Sequence, residues 1–172
     1  PAKPQTGEYV WGTKLKGEYA KRANSYIQNE TPFDIPTEGN AYLEFCHWYE
    51  IEDKNSQEFG EVQISVDGGE TWQSISRPYH GDKKSWDFER LSLNEFRGKN
   101  NVLIRFAMHT DSLFQYSGWY ISKVIAYSLP ETAPTATTQN VSTLPGTVMR
   151  NDLAEVDAVN LVQTVGLNHA FD

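Results

Sequence analysis

Eight residues constrain the fold of this chain more than any others: Ser65-Val66-Asp67-Gly68-Gly69-Glu70-Thr71-Trp72. Upstream of them, Val62, Ile64 and Val66 alternate with Glu61, Gln63 and Ser65, the period of a strand with one apolar and one wet face. Asp67-Gly68-Gly69 then supplies a turn, because glycine takes positive φ without a Cβ clash. The Asp67 carboxylate can accept hydrogen bonds from the backbone N–H groups of its own turn, and Thr71 and Trp72 open the returning strand. The octet matches the Asp-box pattern S-x-D-x-G-x-T-W. It builds a hairpin and performs no chemistry by itself.

The same period recurs along the chain. It predicts strands at Asn24–Gln28, Ala41–Tyr49, Gly60–Val66, Thr71–Ser76, Trp86–Leu93, Asn101–His109 and Trp119–Tyr127. In Asn101–His109, Val102, Ile104, Phe106 and Met108 share one face, while Leu103 and Ala107 indicate that the other is partly covered. Turn residues fill the gaps: Pro36–Asn40, Gly81–Lys84 and Arg97–Asn101. Short strands with turns between them and no long 3.6-residue period predict an all-β antiparallel sandwich of jelly-roll type.

The expected organisation has three parts. Residues 1–128 form the sandwich and 129–150 a Pro/Thr-rich linker. Residues 151–172 form a short C-terminal tail, read as a helix over Asp152–Asn168 capped by Asn151 or Asp152 and ended by Gly166. A strand at Ala158–Val165 is the alternative. With no leader ahead of Pro1, the chain reads as an excised piece or a processed product.

Composition excludes some partners. A formal charge of −8 over 172 residues argues against nucleic acid, whose phosphates call for a basic patch. No apolar run approaches the roughly 20 residues of a membrane span. The single cysteine, Cys46, precludes an internal disulfide and reads as a small buried thiol in the Ala41–Tyr49 strand.

Catalytic signatures are missing. His47-Trp48-Tyr49-Glu50 is not H-E-x-x-H, His47, His80, His109 and His169 are scattered, and neither a G-x-S-x-G elbow nor a Gly-rich phosphate loop occurs. Sialidase propellers repeat the Asp box, which occurs once here. No catalytic residue is therefore assigned.

Calcium fits the sequence better, since it takes six to eight hard oxygens from acidic loops. The acidic stretch Glu50, Glu52, Asp53 and the loop residue Asp111 are candidates, with Glu52 and Asp111 the chosen ligands. For a ligand surface, Tyr79, Trp86, Phe114 and Tyr116 lie in or beside the loops His80–Trp86 and His109–Gly118, where rings next to polar groups suit sugars. Trp86 and Trp119 also read as plugs for the ends of a sandwich. Leu129-Pro130-Glu131-Thr132-Ala133 is similar to an LPxT sorting signal but has alanine in the glycine position. Asn29-Glu30-Thr31 and Asn140-Val141-Ser142 are glycosylation sequons that a bacterial chain would carry by accident.

Three segments together resemble one family. Tyr9–Tyr19 resembles a "W-G-T-x-L-x-G-x-Y" opening, Ala41–Glu52 an "A-x-L-x-F-x-H-W-Y-x-x-E" strand, and Gly118–Val124 a closing "G-W-Y-I-D-D-V" strand. With the Asp box between them, residues 9–128 resemble the MAM-like jelly-roll accessory domains of secreted bacterial peptidases of the bacillopeptidase F and immune inhibitor A type. Ser122-Lys123 departs from this pattern, standing where two acids are usual. The resemblance implies a non-catalytic, extracellular module with a structural calcium near these loops. Its expected partners are a parent catalytic domain and an extracellular protein or polysaccharide. A carbohydrate-binding module of a glycan-active enzyme or adhesin is the alternative, and a structural spacer the third class.

Overall fold

The computed structural model describes residues 10–53, 57–130, 163–164 and 167–168. Two antiparallel sheets face each other. The first runs β1 (Trp11–Gly12), β8 (Gly118–Leu129), β3 (Asn40–Ile51) and β6 (Gly81–Ser92) from edge to edge; the second runs β2 (Asn24–Asn29), β7 (Leu103–His109), β4 (Phe59–Ser65) and β5 (Gln73–Ser74). Pairing is nested: β1 with β8, β2 with β7, β3 with β6, β4 with β5. A long antiparallel ribbon wrapped over itself gives this order, which is that of a jelly roll.

Strand period explains what is inside. Ala41, Leu43 and Phe45 of β3 point inward, as do Val62 and Ile64 of β4 and Ile104, Phe106 and Met108 of β7, all buried. Each of these side chains larger than Ala41 contributes about 1.5–3 kcal/mol on leaving water. Leu103 and Ala107, on the opposite face of β7, are nearly covered as well. Trp119 is fully buried, the plug expected of it. Its indole lies against Gly60, where any Cβ would run into the ring.

The hairpin of β4 and β5 holds itself together. Thr71 N–H donates to both Asp67 oxygens at 3.0 and 3.1 Å, and the Thr71 and Ser65 hydroxyls donate to them as well. Gly69 N–H donates to Ser65 Oγ at 2.9 Å, and Trp72 Nε1–H reaches Gly69 O at 3.0 Å. Gly68 and Gly69 adopt φ of 79° and 95°. Hydrogen bonds from Thr71 hold the Asp67 carboxyl well below the usual carboxylate range.

Four expectations need correction. β6 begins at Gly81 rather than Trp86, because the long β3 offers Tyr49, Glu50 and Ile51 as partners beyond a bulge at His47/Tyr49; Gly81–Lys84 is thus strand, not turn. Cys46 faces outward, half-buried between Phe88 and Ser122 of the flanking strands. The strand expected at Thr71–Ser76 is only Gln73–Ser74, since Thr71 and Trp72 are spent on the turn. The tail's described residues form strands, not helix: β9 (Gln163–Thr164) pairs with β8 and β10 (Leu167–Asn168) with β2. β1 borders β8 only at Tyr120 and Ile121, so the ladder at Ile125 and Ala126 is open to β9. Thr164 is also a better strand than helix former. The linker at 129–150 falls almost wholly outside the described residues.

The core also holds an imidazole. His47 is fully buried among the rings of Phe45, Tyr79 and Tyr49, at 5.2, 4.9 and 5.3 Å between centroids. Neither ring nitrogen has a hydrogen-bond partner, and Glu89 Oε2 stands 3.9 Å from Nε2. Burial, with the Lys83 charge adding to it, lowers its pKa to about 4.

Candidate metal centre

The nested pairing brings four distant chain segments to one end of the sandwich. Phe59 at the start of β4 lies opposite His109 at the end of β7, which lies opposite Asn24 at the start of β2. Residues just beyond these ends are therefore neighbours, and the end of β3 in the facing sheet reaches the same place. Glu52 follows β3, Glu58 precedes β4 and Asp111 follows β7; one carboxylate oxygen of each lies within 4.8 Å of the other two.

The three acids are not alike. Glu52 and Glu58 are 3% and 1% exposed, and Asp111 is half-buried. Glu58 is well supplied: the Tyr19 hydroxyl donates to Oε2, and Asp111 N–H donates to Oε1 at 3.0 Å. Asp111 Oδ1 accepts from Leu113 N–H at 2.7 Å. Glu52 Oε2 is buried with no donor at all. Burial pushes the Glu58 carboxyl above its ordinary range; the neighbouring Asp111 charge pushes the same way, and the Tyr19 hydrogen bond opposes both. Burial, then the hydrogen bond to Glu58, drives the Tyr19 phenol up strongly.

Backbone contacts brace the cluster. Arg22 N–H donates to Asp111 O at 2.6 Å, Thr110 N–H to Ala23 O at 2.9 Å, and Tyr19 N–H to Tyr116 O at 3.2 Å. The Gln115 amide donates to Tyr19 O at 2.5 Å and Lys21 Nζ to Leu113 O at 2.8 Å. The segment before β2 is thus laced to the loop after β7, and the acids are held rather than loose.

Among the described residues, no lysine, arginine or histidine pairs with any of the three. Converging carboxylates buried without a cation are costly, since desolvation and mutual repulsion act together. An all-oxygen donor set suits a hard divalent cation, and the orphan Glu52 Oε2 is the atom such an ion would satisfy.

The structure thus brings Glu52 and Asp111 together and adds Glu58. The only sequence signal for Glu58 was an acid at the far end of the loop that Glu52 begins. The other acids of the stretch turn elsewhere: Glu50 accepts from Ser117 Oγ at 2.5 Å and pairs with Lys84 at 3.0 Å, and Asp53 pairs with His80 at 2.7 Å. The Ser117 and Lys84 contacts hold the Glu50 carboxyl below its ordinary range.

The four candidate ligand aromatics do not share one environment. Tyr79 is fully buried in the core and offers no surface. Trp86 lies half-buried on β6, Tyr116 packs against the core, and Phe114 is 57% exposed. The sequon residue Asn29 is buried, its amide donating to Thr31 O at 2.8 Å and accepting from Ile104 N–H at 2.6 Å, so it presents no acceptor for a glycan.

Fold and site together define a jelly-roll sandwich with a buried carboxylate cluster at one end. No protein-family model matches the chain. Over 125 residues it is 31% identical to bacillopeptidase F of Bacillus subtilis strain 168. The match takes in 73% of this chain and 8% of that protein, so the chain spans a small part of the curated relative it matches. No helix among the described residues is long and apolar enough to cross a membrane.

Proposed function

We propose that this chain is a non-catalytic, extracellular accessory module of a larger bacterial peptidase, stabilised by calcium at Glu52, Glu58 and Asp111. The observation that carries the accessory reading is the 31% likeness confined to a small fraction of a peptidase. A piece of that size and fold supports, orients or anchors a catalytic domain. The metal reading rests on the unpartnered, buried Glu52 Oε2 beside two further carboxylates. Calcium would neutralise the cluster, fill its remaining positions with carbonyl and water oxygens, and tie the segment at Tyr19–Ala23 to the loop at Thr110–Tyr116.

Two measurements test the reading. Deleting residues 10–130 from the parent enzyme should leave turnover of a small chromogenic peptide intact while lowering secretion yield or activity on insoluble substrate. Loss of small-peptide turnover by a folded deletion protein would instead place catalytic residues in the module. Isothermal titration of the chelator-stripped chain with calcium should show one site that Glu52→Gln abolishes; no heat of binding would remove the metal.

A further inference from the structure

The outer face of the second sheet carries an ordered array of side chains whose first row borders the segments holding the metal centre and whose other rows run away from it. The register of β2, β7 and β4 sets them in cross-strand rows. One row is Asn24, His109 and Phe59, the next Tyr26, Ala107 and Glu61, and the third Gln28, Arg105 and Gln63. Rows on one face lie about 7 Å apart along a strand, so the array is long enough for more than one sugar ring. Its groups are planar amides, an imidazole, a guanidinium, a carboxylate and aromatic rings, with no lysine.

Arg105 is the feature that needs explaining. Its guanidinium lies 4.1 Å from the centroid of the Trp72 ring and 5.2 Å from that of Tyr26, and Nε donates to Gln63 Oε1 at 2.5 Å. Among the described residues, no carboxylate forms an ion pair with it. The outer face of the first sheet provides the contrast. There Arg90 also lies over two rings, Tyr42 and Tyr127, but its Nε donates to Glu44, which accepts from Tyr127 OH as well. Arg90 belongs to a closed network, whereas Arg105 is fixed in place with no carboxylate bonded to its guanidinium, the Glu61 charge acting on it only from a longer distance. The Asp-box hairpin does the fixing, since its own bonds hold Trp72. The nearest acid on the array, Glu61, accepts from Gln63 Nε2 at 2.5 Å and pairs with His109 Nε2 at 3.1 Å.

We infer that this face binds a carboxylate-bearing polysaccharide, with Arg105 forking onto a uronate carboxylate while the exposed Tyr26 ring and the amides of Gln28 and Asn24 take the sugar ring and its hydroxyls. A guanidinium matches a carboxylate with two parallel hydrogen bonds. Polysaccharide fits better than peptide because β7 is already paired on both sides, leaving no backbone groups on this face for an added strand. The proposal is independent of both the metal and the parent enzyme.

Affinity electrophoresis of the intact chain through gels containing polygalacturonate or hyaluronan tests it, with hydroxyethyl cellulose as the neutral control. Retardation by at least one acidic polymer is expected, weakened by salt. Arg105→Gln should reduce affinity by about tenfold or more, the usual loss for a hydrogen bond to a charged group, and Arg105→Lys by less. Tyr26→Ala should weaken binding while Arg90→Gln leaves it unchanged. Circular dichroism melts of the variants confirm that they are folded. No retardation by either acidic polymer, equal retardation by the neutral one, or retardation indifferent to Arg105→Gln would overturn the inference.

Discussion

Two carboxylate sites in this molecule are built on opposite plans. Asp67 is exposed at a hairpin tip, and its two oxygens are saturated by Ser65 and Thr71, groups within four residues of it. The cluster of Glu52, Glu58 and the half-buried Asp111 has two buried members, is assembled from distant segments, and leaves Glu52 Oε2 without a donor. A local motif finishes its own hydrogen bonding and so has no capacity left for a ligand. A long-range cluster inherits its environment from the topology, and its unmet demand is what an ion can use. Calcium should therefore affect the second site and leave the first untouched.

The largest effect follows directly. At a calcium concentration about a hundredfold above Kd, binding stabilises by about 2.7 kcal/mol, which raises Tm by roughly 5–10 °C in a chain of this size. Glu58→Gln should abolish that increment yet raise the Tm of the calcium-free protein, because burial already disfavours the Glu58 carboxylate and a neutral amide relieves the penalty. Asp67→Asn should leave the calcium increment intact. Melts with calcium and with chelator decide it, and a calcium increment lost in Asp67→Asn but kept in Glu58→Gln would reverse the comparison.

His47 sharpens the point with a group that is buried among core rings. The charged groups around it are Glu89, Asp87, Lys83 and Arg77. Its folded pKa of about 4 lies below the ordinary 6.5, so the folded state resists a proton that the unfolded chain accepts. Its contribution to stability is present above pH 6.5 and is lost as pH falls towards 4. The loss amounts to about 2 kcal/mol by pH 5, each tenfold change in proton affinity being about 1.4 kcal/mol. Urea denaturation of the wild type and of His47→Gln at pH 7 and pH 5 should show a steeper decline in the wild type. Parallel declines would mean that the imidazole reaches solvent.

These sites were unequally legible in the sequence. Strand period announced most of the sandwich, because Ala41–Phe45, Val62–Ile64 and Val102–Met108 alternate where one face meets the core. The two-residue β1 is too short to show a period, and β6 was shortened because Gly81–Lys84 carries turn residues that only the length of β3 recruits into a ladder. Glu52 and Asp111 stood out as acids at strand ends. Glu58 did not, since its approach to Asp111 depends on the pairing of β4 with β7. Nor could the sequence announce Tyr79's burial, because the segment that precedes β6 looks like any polar loop until Gly60 and Tyr79 bond to each other through their backbones. The Asp box was legible down to its hydrogen bonds, and its hold on Trp72 beside Arg105 was not, because Arg105 arrives from another strand.

The smallest expected effect tests the self-sufficiency of that hairpin. Hydrogen bonds from Thr71 depress the Asp67 pKa, so what this carboxylate contributes is present above the ordinary aspartate range and is lost as pH falls through the depressed value. The group is exposed, so solvent screens most of the benefit. Asp67→Ala should lower Tm by less than calcium raises it, and Ser65→Ala by less still, because Ser65 contributes one hydroxyl to Asp67 and accepts mainly from Gly69. The informative readout is local: hydrogen exchange at the Thr71 amide should accelerate in Asp67→Ala while the Leu103–Met108 amides keep their protection. Equal acceleration in both would show that the turn is coupled to the whole sheet, and the contrast between a closed local site and an open distant one would fail at its local end.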